Sequence, residues 1–227
     1  GGQPVPRHGP QALLLMPAVP ALAATRWLKL STLLLCLLPA AWIIAGVAGA
    51  PWAPLSPNPV EDILHRLGEW SLNFLVATLA ISPASELTGR REWLAIRRML
   101  GLTAFSYALG HFIWYLGVDQ GLELTALARD VVKRPYITAG FAALLLLLPL
   151  AVTSTKRWMR RLGRRWQTLH RLAYVAAGLG VLHYLWLVKA DLTTPLAYGL
   201  VLGLLLIWRI PAVRRLARNG PPAGSRP

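Results

Sequence analysis

Three histidines stand within long apolar runs, where an ionisable side chain is uncommon. His111 lies in RRMLGLTAFSYALGHFIWYL, and His170 and His183 both lie in RRWQTLHRLAYVAAGLGVLHYLW. An ionisable residue inside a membrane-spanning segment is a functional candidate by default, because placing it there is costly. Two neutral imidazoles that face each other across a helix bundle can supply both axial ligands of a haem iron. The histidines therefore point first to haem chemistry.

Six apolar segments are long enough to be the helices that carry these histidines across a membrane. A spanning helix needs about 20 mainly apolar residues, within a range of about 17 to 25. We predict an all-α integral membrane protein, with a six-helix transmembrane bundle over residues 27–210. We expect residues 1–26 to be disordered or an upstream extension, and residues 211–227 to form a basic cytoplasmic tail. The six segments are 28–48, 67–83, 99–117, 135–152, 169–188 and 194–210.

The composition indicates a membrane protein and argues against a nucleic-acid-binding domain. Hydrophobic residues make up 55% of the chain, and the formal net charge is +15. Basic loops that face an anionic inner membrane surface explain this combination better than nucleic-acid binding does. The loops after the second and fourth segments are the most basic, and six spans place them on the side of both termini. The positive-inside rule makes that side cytoplasmic.

His111 and His183 are predicted to lie at a similar depth. The third and fifth segments run in the same direction, outward from the cytoplasm, and both histidines stand in their outer halves, whereas His170 lies near the cytoplasmic end. No Asp or Glu lies near the middle of a segment, which argues against a proton pump or cation antiporter. Small residues on the same segments leave room for a porphyrin: Gly101, Gly110, Gly178 and Gly180.

Several alternatives remain open for these histidines. His170 and His183 are about 140° apart on an ideal helix, so either a bulge occurs near Gly178–Gly180 or the two side chains serve different partners. A single histidine in a span can instead hydrogen-bond a neighbouring carbonyl. Zinc is disfavoured because no third or fourth ligand is evident. His65, at the outer start of the second segment, is either a quinone-site or supporting group or a simple interfacial residue.

Cysteine chemistry contributes little to the function. Cys36 is the one cysteine of the chain, so an internal disulfide is excluded, and no CxxCH motif for covalent c-type haem is present. No G-x-G-x-x-G motif or P-loop occurs either. Electrons would therefore have to come from another protein or from a membrane quinol.

Several longer motifs carry a resemblance to a known family. The runs are NPVEDILHRLGEW, KRPYITAG, LAVTSTK, LGRRWQTLHRLAY and LHYLW, within a similarity that extends over residues 27–210. The chain resembles the MsrQ family, the haem-binding membrane subunits of bacterial methionine-sulfoxide reductase systems, within the ferric-reductase-like transmembrane group. The resemblance implies a bacterial inner-membrane protein with b-type haem, and FMN binding has also been attributed to the family.

The resemblance also implies partners and ligands. Its members take electrons from quinol or a cytosolic flavin reductase and pass them to a periplasmic molybdopterin enzyme that reduces methionine sulfoxide. Two-haem relatives carry histidine pairs on the third and fifth spans. His111 and His183 match the second positions, which ligate the outer haem, and His170 matches the first position on the fifth span. The partner of His170 would lie near Arg98, where no histidine stands, so the chain departs from the two-haem pattern.

We therefore expect an electron path that enters near His170 and leaves through the outer loops 118–134 and 189–194. We expect no catalytic residue in this chain, because the sulfoxide chemistry would belong to the partner. Candidate cofactor-binding residues besides the histidines are Arg98, Arg164 and Arg165, since guanidinium groups can hold a flavin phosphate; the ordinary positive-inside signal is the alternative. The competing functions are a stand-alone ferric or quinol reductase and a haem-free membrane transporter.

Overall fold

The computed structural model describes residues 19–214, and all regular secondary structure in that range is helical. A 3₁₀ turn (Arg91–Trp93) leads into helix α3, and a π-helical segment (Tyr115–Asp119) continues it. The prediction of an all-α fold is therefore confirmed for this part of the chain. The helices are α1 (Val19–Val47), α2 (Pro59–Thr88), α3 (Leu94–Trp114), α4 (Leu124–Lys133), α5 (Pro135–Val152), α6 (Lys156–Leu162), α7 (Arg164–His170), α8 (Leu172–Leu187) and α9 (Thr193–Trp208).

Apolar side chains on the outside of the helices identify a membrane protein. Within residues 19–214, three helical stretches are long and apolar enough to cross a bilayer: Ala23–Val47, Arg91–Asp119 and Pro135–Val152. Helix α9 is apolar but shorter. Leucines of α1 and α9 that lie far from the core are widely exposed, as expected of a surface that contacts lipid.

The remaining predicted spans lie in helices that are more polar or interrupted. Helix α2 carries charged residues in its first turns, including Glu61 and Asp62. The fifth segment is divided at Arg171, where the backbone N–H groups of Arg171 and Tyr174 bond three residues back instead of four. The total of six spans and the cytoplasmic location of both termini therefore stay predictions.

The division at Arg171 corrects one expectation about the fifth segment. A bulge near Gly178–Gly180 was one of two explanations for the azimuths of His170 and His183. Helix α8 instead runs without interruption through these glycines, and the interruption lies at Arg171, between α7 and α8. His170 and His183 therefore belong to separate helices, and their relative orientation does not follow from a single ideal helix.

Helical structure extends into two segments for which the sequence did not predict it. Helix α1 begins at Val19, inside the segment expected to be disordered, and Pro20 falls in its first turn, where a missing N–H breaks no helical hydrogen bond. The rest of that segment lies outside the described residues, as do residues 215–227 of the predicted tail. The outer loop 118–134 contains the short helix α4.

A side chain from α3 fills the interruption that Pro39 makes in α1. The Tyr107 hydroxyl donates to the carbonyl oxygen of Cys36 at 2.9 Å and accepts from the N–H of Ala40 at 2.9 Å. A side chain inserted into the helical ladder is one of the recognised causes of a helix kink. Tyr107 therefore satisfies polar backbone groups that lipid would leave unpaired.

Four helices frame the interior: α2 packs chiefly against α3, and α5 against α8. Asn58 caps the start of α2, and Gly89, with φ of 68°, ends it. Ala104, Ala176 and Ala177 are fully buried, since small residues let helices approach closely in a membrane protein. This close packing brings the C-terminal ends of α3 and α8 to the same end of the bundle as the N-terminal ends of α2 and α5.

Candidate cofactor site

His111 and His183 face each other near the C-terminal ends of α3 and α8. Their ring centroids are 6.1 Å apart and their ring planes make an angle of 83°. Both side chains are half-buried and line one cavity. The structure thus brings together the two histidines that the sequence placed at similar depth.

A backbone carbonyl orients each of these rings. Nδ1 of His111 lies 2.9 Å from the carbonyl oxygen of Leu64, and Nδ1 of His183 lies 2.6 Å from that of Tyr136. A carbonyl oxygen can only accept, so each Nδ1 carries the hydrogen and each Nε2 keeps a free lone pair. Metal-binding histidines are commonly oriented by such a bond from the other ring nitrogen.

Two glycines make room for the rings against the neighbouring helices. A Cβ at Gly68 would lie 3.1 Å from His111 Nδ1, and a Cβ at Gly140 would lie 2.7 Å from His183 Nδ1. Each glycine stands four residues after the residue whose carbonyl holds the ring. Sequence reasoning missed both, and this repeated spacing is the signal that could have identified them.

The glycines that sequence reasoning chose have other surroundings. A Cβ at Gly101 or Gly110 would meet side chains of α2, and one at Gly178 would meet nothing within 4 Å. Gly180 is the one of the four that lines the cavity in the described structure. Of the four glycines expected to leave room for a porphyrin, Gly101 and Gly110 thus face side chains of α2, Gly178 faces open space, and the role of each in cofactor binding stays a prediction.

The cavity around the histidines has a volume of about 610 Å³, which is within the usual range for ligand sites. Its deep end is apolar, and the other end, where α2 and α5 begin, is polar. A flat apolar ligand with charged groups on one edge suits this arrangement. The deep end includes Leu72, Leu75, Leu147 and Ala176, and the polar end includes Asn58, Glu61, His65, Asp119 and Arg134.

The separation of the imidazoles fits a shared metal. Metal–imidazole bonds are about 2.0–2.1 Å long, so two imidazoles that share one metal would have ring centroids no more than roughly 6 Å apart. The 6.1 Å observed between His111 and His183 agrees with this requirement. Within residues 19–214 no group of three or more His, Cys, Asp or Glu side chains can hold a metal ion, which leaves the pair as the candidate metal ligands.

His170 lies apart from the pair and has partners of its own. Its ring stacks on Trp166, with centroids 3.9 Å apart, and its Nε2 lies 3.1 Å from Thr153 Oγ1. Thr153 Oγ1 also lies 2.6 Å from the carbonyl oxygen of Pro149. The Thr153 hydroxyl can donate to His170 Nε2 or accept from it, depending on the tautomer of the ring. A metal on His170 therefore stays a prediction.

Comparison with known proteins decides the family. Residues 66–181 match the family described as ferric reductase like transmembrane component. A protein of Rhodospirillum rubrum is 50% identical over 197 residues, which cover 86% of this chain and 93% of the relative. One from Azospira oryzae is 48% identical over 204 residues, with 88% and 85% covered. A protein of Xanthomonas euvesicatoria pv. vesicatoria is 49% identical over 177 residues, with 76% and 81% covered.

All three relatives carry the name protein-methionine-sulfoxide reductase heme-binding subunit MsrQ. The chain belongs to the MsrQ family. The resemblance found in the sequence is thereby confirmed. The ferric reductase match covers α3, α5 and most of α8, and it includes His111 and His170 but ends shortly before His183.

The arginines proposed as cofactor-binding residues lie outside the cavity that His111 and His183 line. Arg98 belongs to the first turns of α3, whereas Arg164 and Arg165 begin α7, and all three side chains are exposed. They are not among the residues that line the cavity. Binding of a flavin phosphate by these arginines stays a prediction. The alternative, that they only set the orientation of the protein in the membrane, also stays a prediction. Arg134, which sequence reasoning did not single out, does line the cavity.

Proposed function

We propose that this membrane protein carries electrons and that His111 and His183 would hold a b-type haem through their Nε2 atoms. The observation that carries the proposal is their 6.1 Å separation across a cavity. The Nδ1 hydrogen bonds support it, because they direct a free Nε2 from each ring away from the backbone. The names of the relatives, which include heme-binding, support it independently.

Bound haem, held by His111 and His183, would supply a one-electron iron couple. The protein's own contribution is to hold the rings and to exclude water. Leu64 and Tyr136 fix the ring orientations through their carbonyl groups, while Leu72, Leu75 and Leu147 give the deep end an apolar lining. An apolar surrounding of this kind tunes the reduction potential of a metal centre.

We further propose that the chain serves a bacterial methionine-sulfoxide reductase as its inner-membrane subunit, with six spans and both termini in the cytoplasm. The names of the relatives support such a partner, and a periplasmic molybdopterin enzyme is the partner class that the family resemblance implies. Quinol or a cytosolic flavin reductase would be the donor. The basic helices α6 and α7, next to His170, suit an acidic donor protein or a flavin phosphate at the cytoplasmic face.

Visible spectroscopy tests the haem assignment directly. Reduced-minus-oxidised spectra with pyridine haemochrome counting are to be recorded for the wild type, His111→Ala and His183→Ala, with His170→Ala as the matched control. We expect both variants of the pair to lose the low-spin b-type signal and the control to keep it. A retained signal in His111→Ala or His183→Ala would exclude the pairing. A wild type without haem would favour the transporter function instead.

The partner assignment needs a separate experiment. Purification of the tagged protein from its bacterial host should recover a molybdopterin protein, identified by its fluorescent cofactor derivative. Methionine sulfoxide added to the reduced pair should reoxidise the haem. Reoxidation by ferric chelate without any partner protein would instead support a stand-alone ferric reductase.

A further inference from the structure

The polar end of the histidine cavity carries one guanidinium group, that of Arg134. Among the described lining residues, Arg134 is the only Lys or Arg. It stands immediately before α5 and two residues before Tyr136, whose carbonyl oxygen holds His183. Its side chain is 52% exposed. The cation therefore lies at the open end of the cavity, on the side of the His183 ring.

Neighbouring groups hold this guanidinium in place. Arg134 Nε lies 3.3 Å from Asp130 Oδ1, while the buried Asp130 also accepts the Tyr115 hydroxyl at 2.7 Å through Oδ2. Arg134 Nη1 donates to the Tyr136 hydroxyl at 3.4 Å. Within residues 19–214, Nη2 has no hydrogen-bond partner. The bonds at Nε and Nη1 thus leave Nη2 of the guanidinium available to a ligand.

The carboxylates at the same end of the cavity have other partners. Glu61 accepts from the Asn58 amide at 2.9 Å, and Asp119 accepts from Gln120 at 2.8 Å. Glu69 accepts the Tyr184 hydroxyl at 3.0 Å. None of these acids pairs with Arg134 in the described structure. Arg134 therefore remains the positive group that can meet an anionic edge of a ligand.

We propose that Arg134 binds a propionate carboxylate of the haem and that Asp130 positions its guanidinium for this contact. The inference rests on the proposed haem function. Haem is apolar except for two propionates on one edge, and the cavity is apolar at its deep end and polar at the end of Arg134. Guanidinium–carboxylate contacts are among the strongest and most directional hydrogen bonds in proteins.

Removal of the propionate charge provides a sharp test. The full-length protein, produced without haem and purified in detergent, is titrated with haemin and with haemin dimethyl ester, which lacks the carboxylates. We expect the wild type to bind haemin about tenfold more tightly than the dimethyl ester. This factor is at the low end for a hydrogen bond to a charged group, because Arg134 is partly exposed to solvent. Arg134→Gln should bind the two ligands alike, and Arg134→Lys should keep part of the preference.

Arg66→Gln is the matched control. Arg66 pairs with Asp62 at 2.9 Å across one helical turn, as Arg134 pairs with Asp130, but Arg66 does not line the cavity. The control should keep the wild-type preference. The haem midpoint potential should fall in Arg134→Gln and not in Arg66→Gln, because a nearby positive charge favours the reduced iron.

The outcomes separate this inference from the proposed function. A wild type that binds both ligands equally, or an Arg134→Gln variant that keeps the preference, would overturn the role of Arg134 while leaving the haem site intact. A wild type that binds neither ligand would overturn the proposed function itself. Asp130→Asn should lower the preference less than Arg134→Gln does, as expected of a positioning residue.

Discussion

The Nδ1 atom of His183 donates a hydrogen bond to the carbonyl oxygen of Tyr136, which belongs to a different helix, at 2.6 Å. Four residues after Tyr136, Gly140 leaves the space that the ring occupies. The same relationship holds His111 against Leu64 and Gly68. The orientation of both histidines thus depends on backbone carbonyls and on the space at two glycines of α2 and α5.

Substitution Gly140→Ala should displace His183. The added Cβ would lie 2.7 Å from Nδ1, closer than van der Waals contact allows, so either the ring or α5 must shift. We expect an altered or lost low-spin haem signal, measured by visible and electron paramagnetic resonance spectra. Gly178→Ala is the control, because a Cβ there meets nothing within 4 Å. Equal spectra for the two variants would contradict the role of Gly140. Gly68→Ala, with a Cβ at 3.1 Å, should have a smaller effect than Gly140→Ala.

Substitution Tyr107→Phe should weaken the attachment of α1 to α3. Loss of the hydroxyl leaves the carbonyl of Cys36 and the N–H of Ala40 without their partner. An unsatisfied buried group costs about 1–3 kcal/mol, so the thermal unfolding temperature in detergent should fall. Tyr174→Phe is the control, because the buried Tyr174 hydroxyl has no hydrogen-bond partner in the described structure. A fall of similar size in both variants would count against the bridging role of Tyr107.

Asp62, at the start of α2, should make the stability of the protein depend on pH. Burial raises the pKa of Asp62, but hydrogen bonds from Arg66 and from the Ser56 N–H outweigh it, so the pKa lies below its usual value. A lowered pKa contributes stability above the unfolded-state value of about 3.9 and loses it as the pH falls through the folded-state value. The unfolding temperature of the wild type should therefore fall more between about pH 5 and pH 3 than that of Asp62→Asn. Parallel curves would contradict the assignment.

The hydroxyl of Thr153 should protect His170 from modification. It lies 3.1 Å from His170 Nε2, within hydrogen-bond distance, so Thr153→Val removes the partner of that nitrogen. We expect faster reaction of His170 with diethylpyrocarbonate, measured by mass spectrometry, and an unchanged haem spectrum. Ser154→Ala is the control, because the Ser154 hydroxyl bonds to the Leu150 carbonyl oxygen instead. A changed haem spectrum in Thr153→Val would link His170 to the haem after all.

Local features of the chain were enough to predict the helices and the candidate histidines. Each of the six predicted segments lies within helical structure to within two residues at its ends, apart from the break at Arg171 in the fifth, because apolar runs bounded by proline and charged residues are local signals. The break at Arg171 was not predictable in the same way. No proline or glycine stands between residues 168 and 174, so no local signal marks the point where α7 ends and α8 begins.

The sequence by itself determined the helical membrane character of the protein, since hydropathy depends on neighbouring residues alone. It also identified His111 and His183 as candidates, because an ionisable group inside an apolar run is costly in lipid. Only the tertiary structure decided how these rings are held. The carbonyls of Leu64 and Tyr136, the space at Gly68 and Gly140 and the guanidinium of Arg134 come from helices α2 and α5 and from the residue that precedes α5. These groups contact the histidines or line the same cavity only because α2 packs on α3 and α5 packs on α8. Contacts between residues so far apart in the chain have no local pattern that reveals them.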